Sequence, residues 1–128
     1  MSATNFLEDR FLQASLTGNT YTGAANVYVA LYSTAPTDAG GGTELSGSGY
    51  ARQEAVFTVS IGNGVAVNDS AVVFGNATAD WSTAVAYGIV DASTAGNILY
   101  TGALSPTQTL LDTYNLTFGA GNISISIN

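Results

Sequence analysis

Ile123-Ser124-Ile125-Ser126-Ile127 alternates apolar and polar residues with a period of two. Successive side chains of a strand point to opposite faces, so this pattern reads as a strand with one face on a core and one in water. Other segments repeat the signal. Val27, Val29 and Leu31 alternate with Tyr28, Ala30 and Tyr32, which makes both faces apolar. Such a strand is buried on both sides, or packs one face on the core and the other on a neighbour. Tyr50 to Ile61 reads as a further strand ending at Gly62-Asn63-Gly64, and Asn-Gly supplies the two positive φ values of a tight hairpin from which Val65 to Val67 pair back. Ala71 to Phe74 is a short apolar strand, and Trp81 falls on a loop expected to close the core. Ala84 to Asp91 and Asn97 to Ala103 read as a second hairpin, followed by strands over 104–111, 115–118 and 122–127. Turn signals recur about every 8–12 residues, as in sandwiches and barrels. The expectation is a mainly β chain: a β-sandwich, jelly-roll or immunoglobulin-like, with one N-terminal α-helix, in a single domain over 1–128.

That helix is expected at about 5–17. Asn5 can cap it and Glu8, three residues on, completes a capping-box pattern. Leu7, Phe11, Leu12 and Leu16 fall on one side, and Gly18 is a plausible stop. An isolated helix of this length is marginal in water, so it must dock, on the chain's own β core or on a partner subunit. Between the first strand and Tyr50 lies a long loop, 33–49, with Pro36, Asp38 and the run Gly40-Gly41-Gly42. Connections in compact domains have a median of about 4–6 residues, and long ones are where contacts to partners concentrate.

Composition excludes several functions. Charged residues are 9% of the 128, against about 25% in a typical soluble domain. Only Arg10 and Arg52 are basic, there is no Lys, and the net charge is −7. Such a chain repels a phosphate backbone and an anionic membrane surface, so neither nucleic acid nor membrane is an expected partner. No apolar run approaches the roughly 20 residues that span a bilayer, and the first ten residues lack the pattern of a signal peptide. Absence of Cys removes disulfides and thiolate chemistry, and absence of His removes the imidazole base. Absence of Lys removes Schiff bases and a complete phosphate loop. The sequons at Asn68, Asn76, Asn115 and Asn122 then read as chance in a chain rich in Asn, Ser and Thr.

The remaining candidates for chemistry are thin. Asp38 and Glu44 flank the triglycine, but two carboxylates are too few for a calcium loop. A glycosidase needs two carboxylates facing across a cleft, and nothing in the spacing places such a pair. Gly47-Ser48-Gly49 lacks the Lys and the following helix of a phosphate loop, and no cofactor or metal is expected. Arg52 lies two residues from Glu54 on one strand face, where a surface ion pair is expected; contact with a carboxylate of another subunit is the sharper alternative. Sheets usually guard their edges with charge, above all Lys. Here the edges must be distorted by glycine or covered by other subunits.

Two stretches carry a resemblance. One runs from Val27 through Ala35-Pro36-Thr37-Asp38-Ala39-Gly40-Gly41-Gly42-Thr43-Glu44 to Tyr50-Ala51-Arg52. The other runs from Asp80-Trp81 through Tyr87-Gly88-Ile89-Val90-Asp91 to Asn97–Leu104. Together with the leading helix and Phe118–Asn122 they resemble a family of small virion proteins of tailed bacteriophages, often labelled tail fibre or minor structural proteins. The resemblance implies a non-enzymatic structural protein in the virion and carries over no catalytic residues. The leading expectation is a capsid decoration (cement) protein on the capsid exterior, bridging subunits of the major capsid protein. The alternative is a tail-associated structural, fibre or adaptor protein contacting tail proteins. A homo-oligomer is expected, with a trimer among its forms. The expected interface residues are Leu7, Phe11, Pro36, Asp38, Glu44, Tyr50 and Arg52.

Overall fold

A computed structural model describes residues 2–47 and 49–127. The chain is mainly β with one helix near its N-terminus. In order, the elements are β1 (Ser2–Ala3), α1 (Asn5–Leu16), β2 (Val27–Thr34), β3 (Thr43–Glu44), β4 (Gln53–Ala55) and β5 (Phe57–Ser60). There follow β6 (Val65–Asn68), β7 (Val72–Phe74), β8 (Ser82–Val90), β9 (Ile98–Leu110), β10 (Leu116–Phe118) and β11 (Ser124–Ser126).

Three antiparallel sheets form. The large one has the order β1-β9-β8-β2-β3, with β4 sharing the β3 side of β2. A three-stranded sheet has the order β11-β6-β5, and β7 pairs with β10. The main core lies between the large sheet and the two small ones. Val29, Leu31, Ala84 and Ile89 from the first meet Val72, Phe74, Ile123 and Ile125 from the others, with Trp81 buried among them. Trp81 does close the core, immediately before β8, and its backbone N–H donates to Leu110 O.

The double apolar pattern of β2 has a local explanation. Its second face packs Ala30 and Tyr32 against Ala86 and Val90. The long loop comes down toward this face. Ala35 and Pro36 share a small cleft with Ala86, while Asp38–Gly41 share another with Thr4–Phe6 and Ile98. Part of the loop therefore lies over the sheet rather than hanging free, and Pro36 is buried. Gly42 makes the return possible. It has φ +76, and a Cβ there would stand 2.7 Å from Thr34 O, too close for any other residue.

Three expectations are corrected. The segment 50–61 is not one strand: it breaks at Val56, so that β4 pairs with β2 and β5 pairs with β6 in a different sheet. Continuous β propensity cannot reveal a strand that changes sheets. Conversely 98–110 is one strand despite Pro106, because the β8–β9 register shifts between Ala84 and Ala86 and the proline falls in the irregular stretch, a position that tolerates a missing N–H. The capping box is also not used. Thr4, not Asn5, is the N-cap, and it makes no side-chain cap. Its hydroxyl donates to Ile98 O at 2.5 Å and its N–H to Leu99 O at 2.9 Å, so the cap residue anchors the helix to β9 instead.

The helix docks on its own chain. Leu7 is 2% exposed, while Leu12 and Leu16, expected on the same side, face solvent. Gly18 follows the helix at φ +74, as expected of a stop. No helix among the described residues is long and apolar enough to cross a membrane.

Candidate functional site

The strongest polar cluster forms where the end of the long loop meets β2. Glu44 sits in β3, paired opposite Tyr32. Arg52 Nε donates to Glu44 Oε2 at 2.9 Å and Nη2 to Oε1 at 2.8 Å, a two-pronged ion pair. Nη1 donates to Ala92 O at 2.8 Å and Ala95 O at 2.7 Å, in the turn between β8 and β9. The Tyr50 hydroxyl donates to Glu44 Oε2 at 2.8 Å and accepts the Leu31 N–H at 3.1 Å. Its ring meets Trp81 edge-on at 5.4 Å and stacks over Phe74 at 6.2 Å. Three segments distant in sequence are thus locked through one carboxylate.

The electrostatics follow from this geometry. Burial alone would raise the Glu44 carboxyl, but the bonds from Arg52 and Tyr50 and the nearby guanidinium outweigh it and hold the group below its ordinary 4.5. Burial pushes the Tyr50 phenol far up, and the Leu31 N–H only partly offsets it; the neighbouring carboxylate raises it further. The bond to Glu44 raises Arg52 in turn. Carboxyl and phenol both move away from neutral pH, the reverse of the tuning that acid–base catalysis requires. The cluster is built to hold.

Each expected interface residue has a definite place. Glu44, Tyr50 and Arg52 come together in this clamp. Arg52 pairs with Glu44 rather than with Glu54, which is exposed, and all three of its nitrogens are engaged within the chain. Leu7 lies in the interior and Pro36 is buried where the loop covers the sheet, so neither presents a surface in this structure. Asp38 is exposed, with its backbone carbonyl accepting the Asn5 N–H at 2.8 Å. Ser48 of the phosphate-loop-like triplet lies outside the described residues. No group of three or more acidic side chains able to hold a metal occurs among the described residues.

Phe11, the remaining expectation, borders a feature that spacing did not reveal. Between α1, the large sheet and the three-stranded sheet lies an open groove of about 460 Å³. Phe57, Val59, Ile125 and Ile127 form one wall; Val27, Ile89, Leu99 and Tyr100 face them, and Phe11 closes the end. None of its lining residues is charged. The alternation of Ile123, Ile125 and Ile127 explains its shape. The first two are buried in the core, and the third runs past it into the open.

A second feature escaped the sequence. Asn68 is 1% exposed. Its Nδ2 donates to Ser70 O at 2.8 Å and Gly119 O at 3.0 Å, and its Oδ1 accepts the Ile123 N–H at 2.9 Å. The first sequon is therefore a buried strut. Only its place at the end of a β strand hinted at this.

The family profile described as podophage GP4 fiber I protein gp80 matches residues 2–126. The chain belongs to this family. The match spans nearly the whole chain, helix and all three sheets included, and makes this fibre I family member a structural protein of a phage virion. No curated protein matches the chain.

Proposed function

We propose that this fibre I family member is a non-enzymatic subunit of the tail fibre apparatus that works by presenting fixed surfaces to neighbouring virion proteins. The observation that carries the reading is the family match over residues 2–126. The clamp supports it. Glu44, Tyr50 and Arg52 tie the long loop to β2 and to the 92–95 turn, which leaves Thr37–Gly41 and the 93–95 turn as ordered display loops. Ordered loops lose little entropy on binding, and repetition of a modest contact along a fibre adds avidity without new chemistry.

Capsid decoration is the second reading, favoured by one observation: a net charge of −7 suits a place outside the shell and away from packaged DNA. The major capsid protein would then be the partner in place of tail proteins. Quantitative mass spectrometry of purified virions separates the two. A copy number in the low tens or fewer, with antibody labelling at the tail, is the expected result. Hundreds of copies spread over the shell would replace the fibre reading by decoration.

A further inference from the structure

We propose that Asn63 is a site of spontaneous covalent modification, where the chain takes up water, releases ammonia and becomes aspartate or isoaspartate. The inference goes beyond the fibre assignment and holds for either place in the virion, since the reacting groups all belong to the β5–β6 hairpin.

The chemistry is set by two neighbours. The backbone nitrogen of Gly64 attacks Cγ of the Asn63 side chain. A carbon–nitrogen bond forms, and Nδ2 leaves as ammonia with the proton that the backbone nitrogen gives up. The product is a cyclic imide. Water then adds to one of its two carbonyls and breaks that carbonyl's bond to the Gly64 nitrogen. Attack at the side-chain carbonyl restores a normal backbone and leaves aspartate. Attack at the main-chain carbonyl leaves isoaspartate, whose backbone runs on through Cβ. Water is the one co-reactant. A side chain on the following residue crowds the ring closure, and glycine has none. Within the sequence only Asn63 is followed by glycine.

The fold leaves these groups open. Residues 61–64 connect β5 to β6 beyond the Ser60–Val65 pair, and all of them are exposed. Nothing lies within 4 Å of a Cβ built at Gly62 or Gly64, so the tip has room for the ring and for water. The Asn63 side chain makes no hydrogen bond among the described residues, and its backbone N–H is held by Ser60 O at 3.2 Å. Other asparagines are restrained. Asn68 is buried with both ends of its amide bonded, and Asn97 Nδ2 donates to Asp91 Oδ2 at 3.0 Å.

The product alters the hairpin in two ways. It puts a carboxylate into 55–68, a stretch with no charged residue, at the rim of the groove that Gly64 helps to line. The isoaspartate form also lengthens the main chain by a methylene group just before Gly64, whose carbonyl accepts the Ile127 N–H at 3.1 Å. That bond, which ties the hairpin to the end of β11, is the one to loosen.

The test follows the intact chain over time at mildly alkaline pH. Mass spectrometry is expected to show a gain of about 1 Da, and peptide mapping with an isoaspartate-specific methyltransferase to place it at Asn63. The attacking nitrogen must lose its proton, so the rate should rise roughly tenfold per pH unit. A synthetic peptide of residues 61–65 supplies the rate without a fold, and the folded chain should convert within about tenfold of it. Asn63→Gln would need a larger ring and should lose the gain, with circular dichroism unchanged. In isoaspartate-containing chains the Ile127 amide should exchange faster. In Asn63→Asp, whose backbone keeps its length, it should not. Conversion slower than that tenfold margin overturns the proposal. So does a mass gain undiminished in Asn63→Gln, or unchanged exchange at Ile127 in the isoaspartate form.

Discussion

Arg52→Met tests the clamp most directly. The substitution keeps most of the aliphatic stem but removes all the bonds to Glu44 and both bonds to the 92–95 turn. Exposed ion pairs contribute about 0–1 kcal/mol, and breaking a fully buried one costs about 3–5. With the Arg52 and Glu44 side chains 11% and 27% exposed, the expected loss lies between, at about 2–3 kcal/mol. For a chain of this length that lowers Tm by about 7–11 °C. The pH dependence carries the stricter test. The folded-state pKa of Glu44 is lowered, so its contribution is present above its ordinary 4.5 and is lost as pH falls through the folded value. In Arg52→Met the main cause of lowering is gone while burial remains. The stability gap between wild type and variant should therefore be full at pH 7 and shrink as pH drops below 4.5. Urea unfolding followed by the buried, single Trp81 measures both. A loss under about 0.5 kcal/mol at pH 7, or a gap that stays constant into acid, would refute the reasoning.

Further substitutions probe the supports around the clamp and groove. Tyr50→Phe keeps the ring against Phe74 and Trp81 but strips a partner from the Leu31 N–H and from Glu44; a loss of about 1–3 kcal/mol in chemical denaturation is expected. Asn68→Ala leaves the Ile123 N–H without its acceptor, and about 2–4 kcal/mol should disappear, with faster hydrogen exchange at that amide. Gly41→Ala and Gly42→Ala form a matched pair. Both positions have positive φ, but only Gly42 has backbone within 3 Å of an added Cβ. Gly41→Ala should cost about 1 kcal/mol and Gly42→Ala clearly more, read as the difference between two thermal melts.

Period-two alternation in Ile123–Ile127 and the double apolar pattern of β2 were enough to make the chain mainly β, because burial on one or both faces leaves a direct mark on sequence. The break at Val56 left none. Its neighbours have strand propensity on both sides, and the choice of sheet is made by which partners are near, a property of the whole chain. Glu44 stands out by type in the long loop, and Tyr50 and Arg52 at the start of the strand that follows it, yet their union was hidden. Arg52 has Glu54 two residues away and takes Glu44 instead, because the return of the loop through Gly42 brings β3 alongside β2. The groove was least legible. Phe11 and Ile127 are separated by most of the chain, and each alone reads as ordinary core.

The anchoring of Thr4 to Leu99 spans 95 positions, and during synthesis that separation becomes time. At about 5–20 residues per second, the helix exists for roughly 5–20 s before the strand it lands on has been made. A helix of 12 residues has little stability of its own, so through that interval Leu7 and Phe11 have no core to enter. A helix made well before its partner strand is thus among the last elements to settle. A nascent chain stopped anywhere before Ile98 carries Leu7 and Phe11 without their anchor, open to a chaperone or to a neighbouring chain on the same message.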